Sequence, residues 1–198
     1  MLLGEDDEGD AAAWGGILAA GGLDSVVIGV RDVDVYDLTG LVLLVVLPDV
    51  DSMEYADAQA ALSLGVPVLG IGGGGQALYG TAGLSSLSVS APGSSQVMEF
   101  VNTTHPALPP GLEEGTQIRV SDVPVTTWSP ISTIPEVLAW DGQNGLHDYP
   151  LLAHDGDSWL WAMGDDGEGA NSLNEEGRYV IATLAGYLGG GQMASATR

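Results

Sequence analysis

The stretch that most constrains the fold of this chain is residues 65–80, which read GVPVLGIGGGGQALYG. A short apolar strand runs into a glycine-rich turn, and the turn runs directly into a helix. Glycine suits such a turn because it tolerates a strained backbone and lets a helix pack closely on a sheet. A strand, turn and helix in this order present one side chain and the first N–H groups of the helix at the carboxyl edge of a parallel sheet. The stretch therefore predicts an α/β fold with a candidate ligand site at the turn.

Strands and helices alternate in the segments before this turn. Residues 11–23 have the apolar spacing of a helix, and residues 25–30 are β-branched and strand-like. Residues 41–47 (LVLLVVL) are continuously apolar, which is typical of a central parallel strand buried on both faces. This alternation predicts an open, mostly parallel sheet with helices on its faces.

The second half of the chain predicts shorter, antiparallel strands that extend the sheet. These strands are expected at residues 117–120, 137–140, 151–154 and 159–163, and a loop is expected at 85–95. Ser172 and Glu175 have the spacing of a capping box at the start of a final helix. Residues 1–188 are predicted to form a single domain, and residues 189–198 are predicted to be a disordered tail.

Two motifs carry a resemblance to a known family. The residues at 65–76, G-V-P-V-L-G-I-G-G-G-G-Q, resemble the nucleophile elbow of class I glutamine amidotransferase-like domains, which read roughly G-x-P-v-l-G-I-C-x-G-x-Q. His105-Pro106, with Pro110-Gly111-Leu112 after it, resembles the H-P-x-x-x-G-L turn of amidotransferase-like and trehalose-utilisation-like relatives. The resemblance covers the chain well to about Gly111 and weakly beyond. It implies a flavodoxin-like, three-layer αβα sandwich with a mostly parallel central sheet plus antiparallel C-terminal strands.

The same resemblance implies that glutaminase chemistry is absent. The nucleophile position is occupied by Gly72, and the stretch that matches the family's late His-x-Glu element, residues 161–168, contains no histidine. Acyl transfer by this route then has neither a nucleophile nor a base. What remains at the elbow are the backbone N–H groups of Gly72, Gly73 and Gly74, with Gln76 beside them, which can bind a carboxylate or a carbonyl group. The alternative interpretation is that these glycines only let the helix pack on the sheet.

The charge balance excludes several classes of partner. Four basic residues stand against 27 acidic ones, for a net charge of −23, and none of the four is a lysine. Such a surface repels nucleic-acid phosphates and anionic lipid, so neither is expected as a partner. Three explanations of the acidity stay open: a solvated surface suited to high salt, a cation site, or a basic partner protein.

The sequence also restricts cysteine chemistry and location. There are no cysteines, which excludes disulfides, thiolate metal sites and a cysteine nucleophile. The longest apolar run is far too short to span a membrane, and no signal peptide is visible at the start. We therefore predict a cytoplasmic location.

A group of acidic residues is expected at the carboxyl edge of the sheet. Glu5, Asp6 and Asp7 follow the first strand, and Asp49 follows residues 41–47. Converging carboxylates attract Mg²⁺ or Ca²⁺, so these four residues form a speculative metal site. The alternative is that they are solvated loop residues.

The histidines and serines offer few other candidates. His105, His147 and His154 are too scattered for a recognisable metal-ligand spacing. His105 is predicted to fix a turn by hydrogen bonding, and His154, beside Asp155, is either an oriented base or a structural hairpin residue. Ser94 and Ser95 form the hydroxyl cluster considered for a nucleophile, and no base can be assigned to them.

These observations lead to two functional hypotheses. The first is a non-catalytic amidotransferase-like domain without a cofactor, which acts as a binding or structural module through self-association or a partner protein. The alternative is a hydrolase or lyase with a relocated site that uses the acidic carboxyl edge with a divalent ion, or His154.

Overall fold

The computed structural model describes most of the chain. The described residues are 1–4, 8–33, 36–84, 86–87, 93–128, 136–143, 146–165 and 167–190. Glu5, Asp6, Asp7 and the tail from residue 191 onward lie outside them, so what was predicted for these residues stays a prediction.

The described residues form eleven strands and four α-helices. The strands are β1 (Leu2–Gly4), β2 (Val27–Gly29), β3 (Leu44–Val46), β4 (Val68–Ile71), β5 (Gly93–Ser95), β6 (Val97–Phe100), β7 (Thr116–Arg119), β8 (Val125–Thr127), β9 (Glu136–Asp141), β10 (Leu146–Asp155) and β11 (Ser158–Trp161). The helices are α1 (Glu8–Ala20), α2 (Tyr55–Leu62), α3 (Gly72–Ala82) and α4 (Glu175–Leu188). In this described part of the chain, no helix is long and apolar enough to cross a bilayer.

Nine of the strands form one sheet, in the order β2-β1-β3-β4-β11-β10-β9-β6-β7. The five strands from β2 to β11 run parallel to one another. The four strands beyond β11 are antiparallel to their neighbours. The sheet therefore confirms the predicted α/β fold, in which a parallel sheet is extended by antiparallel strands.

The helices form the outer layers of the structure. Helix α1 packs against α4, and α2 packs against α3. Helix α1 leads from β1 to one side of the sheet, whereas α2 leads from β3 to the other. Because such crossovers between parallel strands are right-handed, the two helices lie on opposite faces of the sheet.

The core follows the apolar pattern of the sequence. Strands β1, β3 and β4 are buried along their whole length, as expected for parallel strands covered on both faces. Trp14, Trp159 and Trp161 are also buried, in agreement with the default expectation that tryptophans lie in the core.

Two local predictions are wrong. The N-cap of α4 is Asn174, whose side chain accepts a hydrogen bond from the N–H of Gly177, and not Ser172. Asparagine and serine cap helices about equally well, so the sequence could not decide between Asn174 and Ser172 as the N-cap. The loop expected at 85–95 contains strand β5 at its end, which pairs with β8 in a separate two-stranded sheet.

Tyr79 ties α3 to the middle of the sheet. Its side chain is fully buried, and its hydroxyl lies 3.0 Å from the carbonyl oxygen of Val68 in β4 and 2.7 Å from that of Trp159 in β11. Burial raises the pKa of the Tyr79 phenol, which therefore stays protonated and shares its one proton between these two carbonyl groups. One side chain thus links the helix to two adjacent parallel strands.

Replacing Tyr79 by Phe is expected to lower the free energy of unfolding by about 1–2 kcal/mol, because buried carbonyl groups lose a donor. Urea denaturation measures the change. Tyr55→Phe is the matched control, since the Tyr55 side chain is 65% exposed. The control is expected to stay within about 0.5 kcal/mol of the wild type. Equal effects of the two substitutions would contradict a bracing role for the Tyr79 hydroxyl.

Candidate functional site

The glycine-rich turn is a sharp elbow between β4 and α3. Strand β4 ends at Ile71 and α3 begins at Gly72, with no residue between them. Gly72 has a φ of +46°, in the left-handed region that favours glycine. A Cβ atom at this position would lie 1.8 Å from the carbonyl oxygen of Gly164, far inside any real contact. The backbone of the loop after β11 therefore fills the space that a nucleophile would need.

The same loop also accepts a hydrogen bond from a backbone N–H group of the elbow. The N–H of Gly73 donates a hydrogen bond to the carbonyl oxygen of Gly164, at 3.1 Å. In a nucleophile elbow, the N–H of the residue after the nucleophile is an oxyanion donor. Here that donor is bound to the protein's own backbone.

The loop is fixed in this position by its hydrogen bonds to β8. The N–H of Gly164 donates to the carbonyl oxygen of Thr126 at 2.8 Å. In turn, a carboxylate oxygen of Glu168 accepts from the N–H of Thr126 at 2.6 Å. Part of residues 161–168, the stretch that the resemblance matches to a late His-x-Glu element, thus helps to close the elbow.

The remaining predicted elbow residues lie close to where α3 packs on the sheet. A Cβ atom on Gly74 would lie 1.9 Å from the carbonyl oxygen of Leu47, so α3 sits directly on the end of β3. The side-chain amide nitrogen of Gln76 lies near Gly80, one turn along its own helix. The ligand-binding role of Gly72, Gly73, Gly74 and Gln76 stays a prediction.

Two carboxylates lie at the carboxyl edge of the sheet. One carboxylate oxygen of Asp49 is 3.2 Å from where a Cβ atom on Gly4 would be, at the end of β1. A carboxylate oxygen of Asp165 is 2.8 Å from the corresponding point on Gly73. Carboxylates near a helix N-terminus are electrostatically favourable. The metal site predicted for Asp49 with Glu5, Asp6 and Asp7 stays a prediction, because these three partners lie outside the described residues.

Ser95 is the last residue of β5 and has polar contacts with the chain around it. Its side chain is buried, and its hydroxyl donates a hydrogen bond to a carboxylate oxygen of Asp141 at 2.7 Å. The same carboxylate oxygen accepts from the N–H of Gln143 at 2.9 Å. This arrangement gives the hydroxyl of Ser95 a structural partner. Ser94 is its neighbour in β5.

A second cluster of polar groups forms where strands β9, β10 and β11 pair. In the register of the sheet, Glu136 lies opposite His154, and His154 lies opposite Trp159. Residues that are paired across neighbouring strands stand on the same face of a sheet. The turn after β6 brings His105 to this row, although the sequence indicated no spacing that links it to His154.

Polar contacts orient the members of this cluster. His154 places Nε2 3.2 Å from a carboxylate oxygen of Glu136 and Nδ1 3.3 Å from the carbonyl oxygen of Gly156. The other carboxylate oxygen of Glu136 accepts a hydrogen bond from the side-chain amide of Asn102 at 2.6 Å. His105 accepts a hydrogen bond on Nδ1 from the N–H of Ala107 at 3.2 Å, which confirms its predicted role in a turn.

Aromatic rings support the cluster from one side. The ring of His154 stacks on that of Trp159 with 4.1 Å between centroids and 10° between planes. The ring of His105 makes edge-to-face contacts with the rings of Trp159 and Tyr187. The distances between ring centroids are 5.5 and 5.6 Å. The side chains of His154 and Glu136 are 14% and 36% exposed, and Nε2 of His154 is itself buried.

The three ionisable side chains offer a metal-ligand set. One donor atom from each of His105, Glu136 and His154 lies within 4.8 Å of the others. Sequence reasoning recognised the two histidines separately, but missed Glu136 and Asn102. The pairing register that joins them is a long-range property without a local signal in the sequence. The cluster also lies toward the end of the sheet where β4 and β11 begin, away from Asp49.

A cavity of about 160 Å³ lies at the β2 side of the sheet. It is lined by the first residue of the chain and by residues that flank β2 and β3. Val26, Tyr36 and Val42 line it and are 41–47% exposed, so the cavity opens beside exposed apolar side chains.

Comparisons with known proteins identify the fold. No protein-family model matches the chain, and no curated protein matches it. Among solved structures, the chain is similar to "Structure of PurLQS from Thermotoga maritima", with a TM-score of 0.62, 14% identity, and coverage of 94% of this chain and 97% of that one. It is also similar to a putative GMP synthase subunit from Thermoplasma acidophilum, with a TM-score of 0.56, 14% identity, and coverage of 96% of this chain and 94% of that one.

The structural class follows from these neighbours and from the site. Both similarities extend over nearly the whole described sheet and its helices. The chain has the flavodoxin-like α/β fold of these similar structures, which confirms the predicted fold class. At this level of identity, the similarity shows the fold alone.

Replacing Gly72 by Ala is expected to lower the free energy of unfolding by about 2–5 kcal/mol. The left-handed backbone costs a residue with a Cβ about 1–2 kcal/mol, and the collision with Gly164 adds an overpacking cost of about 1–3 kcal/mol. Gly65→Ala is the matched control, because Gly65 has a φ of +70° but no atom within 4 Å of its Cβ position. Urea denaturation of both variants separates the cost of the left-handed backbone from the cost of the collision with Gly164. Equal losses would mean that the Gly164 loop moves aside at no cost.

The stability of the protein is expected to fall with pH below about 6.5, in part because of His105. Burial lowers the pKa of His105, the nearby His154 lowers it further, and Glu136 opposes the shift. A histidine with a lower pKa when folded binds protons more readily when unfolded, so its contribution is complete above the unfolded pKa and is lost as the pH decreases.

The substitution His105→Asn tests this pH dependence, because its amide oxygen can still accept the N–H of Ala107. We expect a shallower decrease in unfolding free energy between about pH 6.5 and 5 than in the wild type. Urea denaturation in the presence of a chelator measures both slopes. Identical slopes would show that His105 does not contribute.

Proposed function

We propose that this chain is a non-catalytic glutamine amidotransferase-like domain that acts as a binding or structural module. The observation that supports this proposal is the closed elbow. The position of the nucleophile has no side chain, and the Gly164 carbonyl leaves no room for one. The same carbonyl oxygen accepts the hydrogen bond of the oxyanion donor, Gly73. Without a nucleophile and with this donor engaged, covalent acyl transfer has no agent.

A partner protein is the ligand that we propose for this module. One of the similar structures is described as a subunit, which is a protein that works in contact with another chain. The net charge of −23 opposes the association of two identical copies, and favours a partner with a basic surface. The cavity beside the exposed Val26 and Val42 fits the apolar contact that a binding role requires.

A glutaminase assay tests the non-catalytic part of the proposal. The purified chain is incubated with glutamine, and the release of glutamate and ammonia is followed against a protein-free control. We expect no release above this control, because no residue at the elbow can attack the amide.

Two variants make a positive signal interpretable. Gln76→Ala alters the elbow helix, whereas Tyr55→Phe alters an exposed side chain elsewhere. Glutamate release that is proportional to protein concentration, abolished in Gln76→Ala and retained in Tyr55→Phe, would overturn the proposal. A signal that neither variant changes does not arise at the elbow, and would leave the elbow itself without activity.

A further inference from the structure

We propose that His105, Glu136 and His154 form a binding site for a transition-metal ion of the Zn²⁺ type. This site is separate from the elbow, and it stands whether or not the proposed non-catalytic role is right. It joins a turn, the first residue of β9 and the end of β10.

The donor set has the chemistry of a zinc site. Two imidazoles and one carboxylate are a known set of three protein ligands for Zn²⁺, and they leave a fourth position for water. Mg²⁺ and Ca²⁺ instead prefer oxygen ligands alone. Two imidazoles in a set of three therefore select against the ions that the many surface carboxylates attract.

The spacing of the donors is close to what a metal ion requires. Ligands at about 2.1 Å from a tetrahedral ion lie roughly 3.4 Å from one another. Nε2 of His154 and the carboxylate oxygen of Glu136 are already 3.2 Å apart. The full set lies within 4.8 Å, so a small movement of the His105 side chain completes the site.

Two of the three ligands already have the outer partners that metal sites use. Nδ1 of His154 faces the carbonyl oxygen of Gly156, which directs Nε2 toward the ion. Asn102 holds the other carboxylate oxygen of Glu136 at 2.6 Å. Such outer hydrogen bonds fix ligand orientation, and their loss typically weakens metal affinity by roughly 10–100-fold.

His105 provides an internal reporter of binding. Its Nδ1 accepts the N–H of Ala107, so the neutral ring carries its proton on Nε2. Coordination through Nδ1 would displace the Ala107 N–H. Coordination through Nε2 would move the ring proton to Nδ1, where it would face that N–H. In both cases the hydrogen bond from Ala107 must break when the ion binds.

Calorimetric titration with Zn²⁺ in excess Mg²⁺ tests the site, since Mg²⁺ occupies carboxylate-only sites. We expect one equivalent of Zn²⁺ to bind. His105→Ala and His154→Ala each remove a ligand and are expected to weaken binding by at least about 100-fold, and Asn102→Ala by about 10-fold.

His147→Ala is the matched control. The affinity of this variant for Zn²⁺ is expected to equal that of the wild type. The backbone of His147 lies in the same strand as that of His154 but roughly 20 Å away, at about 3.3 Å per residue. Thermal unfolding of each variant in chelator checks that it is folded.

Two spectroscopic readouts keep the proposal falsifiable if a histidine variant fails to fold. Co²⁺ in the wild-type protein is expected to give the visible absorption of a low-coordinate nitrogen and oxygen site. The amide resonance of Ala107 is expected to shift on titration with Zn²⁺. Absence of one-to-one binding, binding that survives both histidine substitutions, or an unperturbed Ala107 resonance at saturation would each overturn the proposal.

Discussion

The close approach of backbones at the start of α3 is the constraint on which much of this structure depends. A Cβ atom on Gly72 or Gly74 would lie within 2 Å of the carbonyl oxygen of Gly164 or Leu47. These glycines therefore let the helix rest directly on the end of β3 and on the loop after β11. The same contact leaves no room for a side chain at position 72 and engages the N–H of Gly73. Tight packing and the absence of a side chain at position 72 thus have one physical cause.

The register of the sheet organises the other site. Val45, Leu69, Trp159, His154 and Glu136 are paired in one row across five strands, and so stand on one face. The row is apolar in the buried parallel part and ends in the polar pair of His154 and Glu136. Tyr187, near the end of α4, contacts the ring of Trp159. The polar cluster therefore lies beside the end of α4, next to the part of the sheet that this helix covers.

The sequence allowed the parallel half to be predicted better than the antiparallel half. The structure of two segments follows from local patterns. Residues 41–47 form a continuous apolar run, and residues 65–80 contain consecutive glycines. The cluster of His105 with His154 depends instead on the pairing of β9 with β10, which contains register shifts. A slip of one residue would turn every side chain to the other face, and no local pattern specifies the register there. The contact of Gly164 with Gly72 is similarly long-range.

The position of β11 has a consequence for how the chain is made. This strand lies between β4 and β10 in the sheet, although it comes last along the chain among the described strands. Until it emerges from the ribosome, the apolar strand β4 has an unpaired edge in the middle of the future core, and such edges invite association with other chains. Because the parallel pairing of β4 with β11 closes a long loop, it also forms slowly. We therefore expect a nascent chain that stops short of residue 158 to expose this edge to chaperones and not to form a smaller version of this fold.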